Sequence, residues 1–158
     1  MLQYASGNLL DMAERGEFDC ILHGANCFNT MGGGIAYQIA ERYPEAVLAD
    51  QATKRGDSHQ LGGYSSAGVT RNGNSFNIVN AYTQYGFANH DNPDAFEYYA
   101  FGLILRKISH YKKADILHKI GMPEIGCGLA GGNRDRIFGI AKECAEKYNL
   151  NLTIVSYG

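Results

Sequence analysis

Within the segment Leu22–Pro44, LHGANCFNTMGGGIAYQIAERYP, one histidine and a run of three glycines stand close enough in sequence to serve one site. His23 belongs to the side-chain type that titrates near neutrality. It can protonate a leaving oxygen, activate water or carry a phosphoryl group, or else pack in a core with its nitrogens hydrogen-bonded. Gly32, Gly33 and Gly34 lead into an apolar-periodic stretch that reads as a helix. Backbone amides at such a turn can approach a phosphate closely, and the first helical turn adds unsatisfied N–H groups and the positive dipole end; the alternative is a plain surface turn. The run is neither a P-loop, since no Gly-Lys-Ser/Thr follows, nor the G-x-G-x-x-G dinucleotide fingerprint. A second glycine-rich stretch covers Glu124–Gly132.

The remaining reactive residue types are less organised. Cys20, Cys27, Cys127 and Cys144 show no C-x-x-C spacing and are expected as free thiols. Cys27 and Cys127 lie in the two glycine-bearing segments, as packing residues or as nucleophiles. His59, His110 and His118 have no partner spacing that suggests a metal site, and no metal or cofactor is expected. Tyr82 and Tyr85 either line a cleft or pack.

The elements that must hold these residues alternate in type. Leu2–Ala5 and Asp19–Gly24 read as strands, and Ile35–Arg42 as a helix with Ile35, Ala36, Ile39 and Ala40 on one stripe. Pro44 can open a second helix through about Lys54. Tyr64–Thr70 and Ser75–Tyr82 flank Asn72-Gly73, a strong hairpin signal. Asn92-Pro93-Asp94 supplies cap, first-turn proline and acid for a long helix patterned on Phe96, Ala100, Leu103, Ile104, Ile108 and Tyr111. Ile116–Ile120 is a predicted buried strand, Asn133 a predicted cap for a helix through Cys144, and Leu152–Ser156 a closing strand. This order predicts an α/β fold with a mixed sheet between helical layers, and both glycine-rich segments follow strands, where ligands of such sheets collect.

Composition bounds the partner. At 158 residues, with 45% hydrophobic and 19% charged residues and no internal repeat, residues 1–158 read as one domain. The formal net charge of -2 and the lack of a long basic run give little support to broad nucleic-acid binding, yet backbone amides can take an anionic small ligand without lysine or arginine. The first residues, MLQYASGNLL, lack a secretory pattern, and no apolar run approaches ~20 residues, so a cytoplasmic protein without a membrane partner is expected.

Four separated features, in order, resemble a macrodomain, the ADP-ribose-binding fold. Gly7-Asn8-Leu9-Leu10 is similar to the family's early Gly-Asp-Ile/Leu segment, and Gly24-Ala25-Asn26-Cys27 to its Asn-bearing strand end. Met31–Ala36 resembles the first phosphate loop and Pro123-Glu124-Ile125-Gly126-Cys127-Gly128-Leu129 the second. The resemblance implies a three-layer α/β/α fold with a mixed, mostly parallel six-stranded sheet. It further implies ADP-ribose in a cleft, its diphosphate held between the loops by residues including Gly32, Gly33, Gly34, Ile35, Ile125, Gly126, Cys127, Gly128 and Leu129. Asn8 would meet the adenine, and Leu9 is a further ligand-binding residue. Asn8 replaces the usual aspartate, and its carbonyl can still accept from the adenine amino group, more weakly. Asn26 would orient the distal ribose, or else cap its own loop. His90-Asp91 would close over that ribose, or else be solvated.

Two departures bear on chemistry. The branch that removes ADP-ribose from acidic side chains or DNA bases uses a lysine on the helix after the first loop and, in some members, an aspartate after the second; these positions read Ala40 and Ala130. Neither alanine can act as nucleophile, acid or base. The run Gly32–Gln38 followed by Arg42-Tyr43-Pro44 instead resembles the branch that hydrolyses ADP-ribose-1″-phosphate, which also carries a histidine upstream of the Asn. The resemblance therefore implies a phosphatase with His23 and Asn26 as catalytic residues and ADP-ribose or its 1″-phosphate as ligand. The alternatives are an ADP-ribosyl hydrolase acting on a modified macromolecule and a non-catalytic ADP-ribose-binding module.

Overall fold

Six strands form one sheet in the order β1-β6-β5-β2-β4-β3, with every neighbouring pair parallel except the β3/β4 hairpin. In this computed structural model residues 1–87, 94–111, 119–127 and 131–157 are described. The strands are β1 Leu2–Ser6, β2 Cys20–Ala25, β3 Tyr64–Arg71, β4 Asn74–Tyr82, β5 Ile120–Met122 and β6 Leu152–Ser156. The helices are α1 Leu9–Glu14, α2 Gly34–Arg42, α3 Pro44–Gln51, α4 Tyr98–Tyr111 and α5 Arg134–Lys147. The expected mixed, mostly parallel sheet is therefore present. No described helix is long and apolar enough to cross a membrane.

Alternation along the central strands divides the apolar residues between two cores. Cys20 and Leu22 of β2 face α4 and α5, where Phe101, Ile104, Leu105, Ile137 and Ala141 are buried. Ile21 faces the opposite layer, with Leu10 of α1, Ile39 of α2 and Ala46 of α3. Helices thus cover both faces of a largely parallel sheet, the arrangement such sheets require.

Local chemistry explains several boundaries. Asn72 and Gly73 carry φ of 54° and 79°, the two positive values that a two-residue primed turn needs. Asn133 caps α5 by accepting from the Arg136 amide at 3.0 Å, and Pro44 opens α3 at its first turn.

Beyond shifts of one to three residues at other ends, such as α3 stopping at Gln51 and not near Lys54, three elements differ from expectation. Helix α1 was not foreseen; Asn8 caps it, its side-chain oxygen accepting from the Asp11 amide at 3.0 Å. The described part of the predicted strand Ile116–Ile120 begins only at Ile120 and continues to Met122, while 116–118 lie outside the described residues. Gly121, just past the predicted strand, sits mid-strand with Phe18 and Leu9 closed over it: an added Cβ would lie 2.8 Å from Phe18 and 2.9 Å from Leu9. Helix α4 starts at Tyr98, not near Phe96. Phe96 instead forms a β-bridge with Gln84, and its amide donates to Asp94 Oδ1 at 3.2 Å. The cap residues Asn92 and Pro93 lie outside the described residues.

Candidate functional site

The carboxyl ends of β1, β2, β5 and β6 surround a cleft with two lobes. The larger, about 390 Å³, is lined by Asn8, Leu9, Gln38, Ser156 and Tyr157, among others. The smaller, about 260 Å³, is lined by Gly24, Gly33, Ala36, Gln84, Ile125 and Gly126, among others. Gly34, Ile35, Pro123 and Glu124 line both and form their common boundary. This is where ligands gather in open α/β sheets, beyond the strand ends.

The anion-binding part is the start of α2. Gly33 is the N-cap and makes no side-chain cap bond, and the first backbone bond of the turn runs from the Tyr37 amide to the Gly33 carbonyl at 3.4 Å. The amides of Gly34, Ile35 and Ala36 therefore have no intrahelical acceptor and stand at the positive end of the helix. Gly34 has φ of 57°, which explains a glycine at the turn into the helix.

The second loop closes on itself. The Ile125 amide donates to the Pro123 carbonyl at 2.7 Å, Cys127 to Glu124 at 3.3 Å, and Gly132 to Gly126 at 2.7 Å. Gly126 has φ of +76°, and an added Cβ would lie 2.4 Å from Phe96. Across the cleft, a Cβ on Gly24 would lie 2.9 Å from Thr83 Oγ1. Both glycines let the lobe walls approach closely.

Of the residues singled out from sequence, Asn8, Leu9, Gly33, Gly34, Ile35, Ile125 and Gly126 line the cleft. Gly32 and Cys127 lie beside it without lining it, and Gly128, Leu129, Ala130, His90, Asp91 and His118 fall outside the described residues. The Asn8 carbonyl oxygen is engaged as the α1 cap. Asn26 is buried and organises its own loop, accepting from the Phe28 amide at 2.8 Å and donating to Thr30 Oγ1 at 2.9 Å.

His23 is not in the cleft. It shares a sheet face with Ile21, as the strand alternation requires, but that face is covered by α1, α2 and α3 and the histidine is 0% exposed. Its position at the strand end, three residues before Asn26 and on one face with Ile21, predicts a side chain directed at the cleft; the shared face is found, but the histidine is buried under the helices packed on that face and does not line the cleft. Its Nε2 bonds to Asn80 Oδ1 at 2.6 Å, while Nδ1 has no hydrogen-bond partner. Asn80 donates to the Ala46 carbonyl at 3.0 Å and to Ser65 Oγ at 3.1 Å. Ser65 bonds to the Tyr82 hydroxyl at 2.7 Å, and Tyr82 donates to Asp50 Oδ1 at 2.8 Å. Burial lowers the His23 pKa from its ordinary value against the opposing influence of Asn80 and the Gly24 backbone. Burial also raises the Asp50 pKa despite the Tyr82 hydrogen bond.

The cysteines lie in electrostatically unfavourable places for a thiolate. Burial pushes Cys27 up to about 11, helped by Asp57 and Asp50, and raises Cys127 as well. Packing, not nucleophilic attack, fits both.

Sequence reasoning missed Glu124 as a site residue, although it stands inside the second glycine segment. Its Oε1 accepts from Ser156 Oγ at 2.6 Å, and Arg134 approaches both carboxylate oxygens at 3.3 and 3.4 Å. The Ser156 hydrogen bond, then Arg134, hold the Glu124 pKa below the usual carboxylate value. Glu124 is the one charged side chain among the described residues lining the cleft.

No protein-family model matches the chain. It is 31% identical over 159 residues to an uncharacterised 17.5 kDa protein of Enterobacteria phage T4, covering 99% of this chain and 97% of that protein. Shorter stretches are 41% identical over 58 residues to a DNA ADP-ribosyl glycohydrolase of Mycobacterium tuberculosis and 42% identical over 45 residues to an ADP-ribose 1″-phosphate phosphatase of Saccharomyces cerevisiae. These stretches cover 36% and 28% of this chain, and only 15% and 24% of those proteins.

Among solved structures, a Bacteroides thetaiotaomicron protein of unknown function superposes with a TM-score of 0.82 at 22% identity over 99% of this chain and 98% of that one. The macrodomain of Mycobacterium tuberculosis DarG gives 0.78 at 22% identity over 99% and 97%. Thermosipho africanus DarTG in complex with ADP-ribose gives 0.71 at 14% identity over 91% of this chain and 39% of that chain. Sharing its fold along its whole length with known macrodomains, and end-to-end identity with the phage protein, this chain has the macrodomain fold.

Proposed function

We propose that the cleft binds ADP-ribose and that the protein hydrolyses ADP-ribose-1″-phosphate to ADP-ribose and phosphate. The adenosine part would occupy the larger lobe, the diphosphate the common boundary, and the distal ribose the smaller lobe. The observation that carries the binding half is the uncapped first turn of α2, whose amides at Gly34 and Ile35 border both lobes. Donors without acceptors at a helix N-terminus suit a diphosphate.

The catalytic half is supported by the local similarity to the yeast phosphatase and by Ala40, which leaves α2 without the lysine of the ADP-ribosyl-removing branch. His23 then acts as a positioning residue beneath the loop, not as a group that touches substrate. First-loop amides would stabilise charge on the distal phosphate.

Burial of His23 favours a second reading, ADP-ribose binding without turnover. The stretch similar to the mycobacterial glycohydrolase favours a third, release of ADP-ribose from a modified macromolecule by a substrate-positioned water. One assay separates them: purified protein is given ADP-ribose-1″-phosphate, ADP-ribosylated DNA or ADP-ribosylated protein, and released phosphate and ADP-ribose are measured. Phosphate release that disappears in Gly33→Glu supports the phosphatase. Bound ADP-ribose with no product from any substrate overturns that half and selects the binding module.

A further inference from the structure

We infer that Glu124 is a specificity residue for the sugar next to the diphosphate: its carboxylate accepts the ribose hydroxyls of the adenosine half and excludes a ribose bearing a 2′-phosphate. This rests on the ADP-ribose reading of the cleft. A nucleotide sugar presents acceptors on its phosphates and donors on its ribose. The α2 amides can serve only the first, so the ribose hydroxyls need an acceptor close to the same boundary.

Glu124 supplies it. It lines both lobes together with Gly34 and Ile35, and its bond to Ser156, a residue of the larger lobe, draws the carboxylate to the adenosine side. The side chain remains 31% exposed. An ionised carboxylate has about four lone-pair sites. Ser156 takes one at 2.6 Å, and the Arg134 contacts at 3.3 and 3.4 Å are long, so accepting capacity remains toward the cleft. Ser156 and Arg134 also restrict its motion, which makes it a fixed acceptor.

The same charge determines what is refused. A carboxylate that receives a vicinal diol repels a phosphate on either hydroxyl, the rule by which an acidic residue separates nucleotides with a free 2′-hydroxyl from their 2′-phosphates. The Arg134 guanidinium is engaged with the carboxylate and with the face of Phe138, 4.5 Å from the ring centroid. No other charged side chain among the described lining residues would receive a 2′-phosphate.

The test is calorimetric titration of the unaltered protein, Glu124→Gln and Glu124→Ala with ADP-ribose and with 2′-phospho-ADP-ribose. The unaltered protein is expected to prefer ADP-ribose by about tenfold or more, the worth of one charge-assisted hydrogen bond or one like-charge contact. In Glu124→Gln, ADP-ribose binding weakens about tenfold and the preference shrinks to within about threefold. The ratio of the two affinities does not depend on the fraction of variant that folds. ADP-ribose binding with the preference unchanged in both variants, or tightened in Glu124→Gln by relief of repulsion with the diphosphate, overturns this inference alone. Failure of the unaltered protein to bind ADP-ribose overturns the functional reading and this inference with it.

Discussion

The His23 imidazole donates its Nε2 proton to Asn80 Oδ1 across 2.6 Å, a direction fixed by the other end of the asparagine. Asn80 uses its nitrogen to donate to Ala46 and Ser65, so its oxygen can only accept. His23 is therefore the neutral Nε2–H tautomer with an unprotonated Nδ1. Ser65 in turn donates to Tyr82, and Tyr82 to Asp50, so the bonds run head to tail from histidine to carboxylate across β2, β4 and β3 to α3. Chains of this kind hold their members more firmly than isolated pairs.

Removing the first member should be costly. His23→Ala leaves Asn80 Oδ1 buried without a donor and opens a cavity, with an expected loss of about 2–4 kcal/mol in urea unfolding. A loss below about 0.5 kcal/mol would mean that the network contributes little.

The burial of His23 also predicts a pH signature. Its folded pKa lies below its unfolded value near 6.5, so its contribution is complete above about pH 6.5 and lost as pH falls below it, because the unfolded chain takes up a proton that the fold refuses. Asp50 has the opposite sign: its raised pKa favours the fold below about pH 3.8 and this is lost as pH rises. Stability measured from pH 7 to 5 should fall in the unaltered protein and fall less in His23→Ala. Parallel curves would contradict the assignment.

Three glycines should respond differently to one methyl group. Gly126→Ala meets Phe96 at 2.4 Å in a positive-φ conformation and should lose about 2–4 kcal/mol in thermal or urea unfolding. Gly24→Ala meets Thr83 and Ile125 at 2.9 and 3.2 Å and should lose about 1–3 kcal/mol and weaken ligand binding. Nothing lies within 4 Å of a Cβ on Gly32, so Gly32→Ala should stay within about 0.5 kcal/mol of the unaltered protein.

Asn8 separates folding from recognition. Aspartate caps a helix as well as asparagine, so Asn8→Asp should leave stability within a few tenths of a kcal/mol, while Asn8→Ala should lose about 1 kcal/mol. On the proposed function, Asn8→Asp should also tighten ADP-ribose binding by strengthening the acceptor for the adenine amino group. Equal affinities would remove Asn8 from the adenine contact.

Much of the frame is legible from local chemistry. Asn72-Gly73 and the Asn133 cap specify their own conformations, and the strand-then-glycine order places both loops at one end of the sheet. The depth of His23 is not legible, because a period of two residues assigns a face and is silent on the helices that cover it. Glu124 was hidden for a related reason: it lies in the loop after β5 and its orientation comes from Ser156 of β6, 32 residues along the chain. Helix α1 is six residues long and owes its place to packing of Leu9, Leu10, Met12 and Ala13. So short a helix has little signal of its own.

The most direct test of the cleft itself is an NMR titration of ¹⁵N-labelled protein with ADP-ribose. Saturable amide shifts are expected at Gly33, Gly34 and Ile35 in the first loop together with Ile125 and Gly126 in the second. Absence of shifts at millimolar ligand, or shifts that leave either loop untouched, would contradict it.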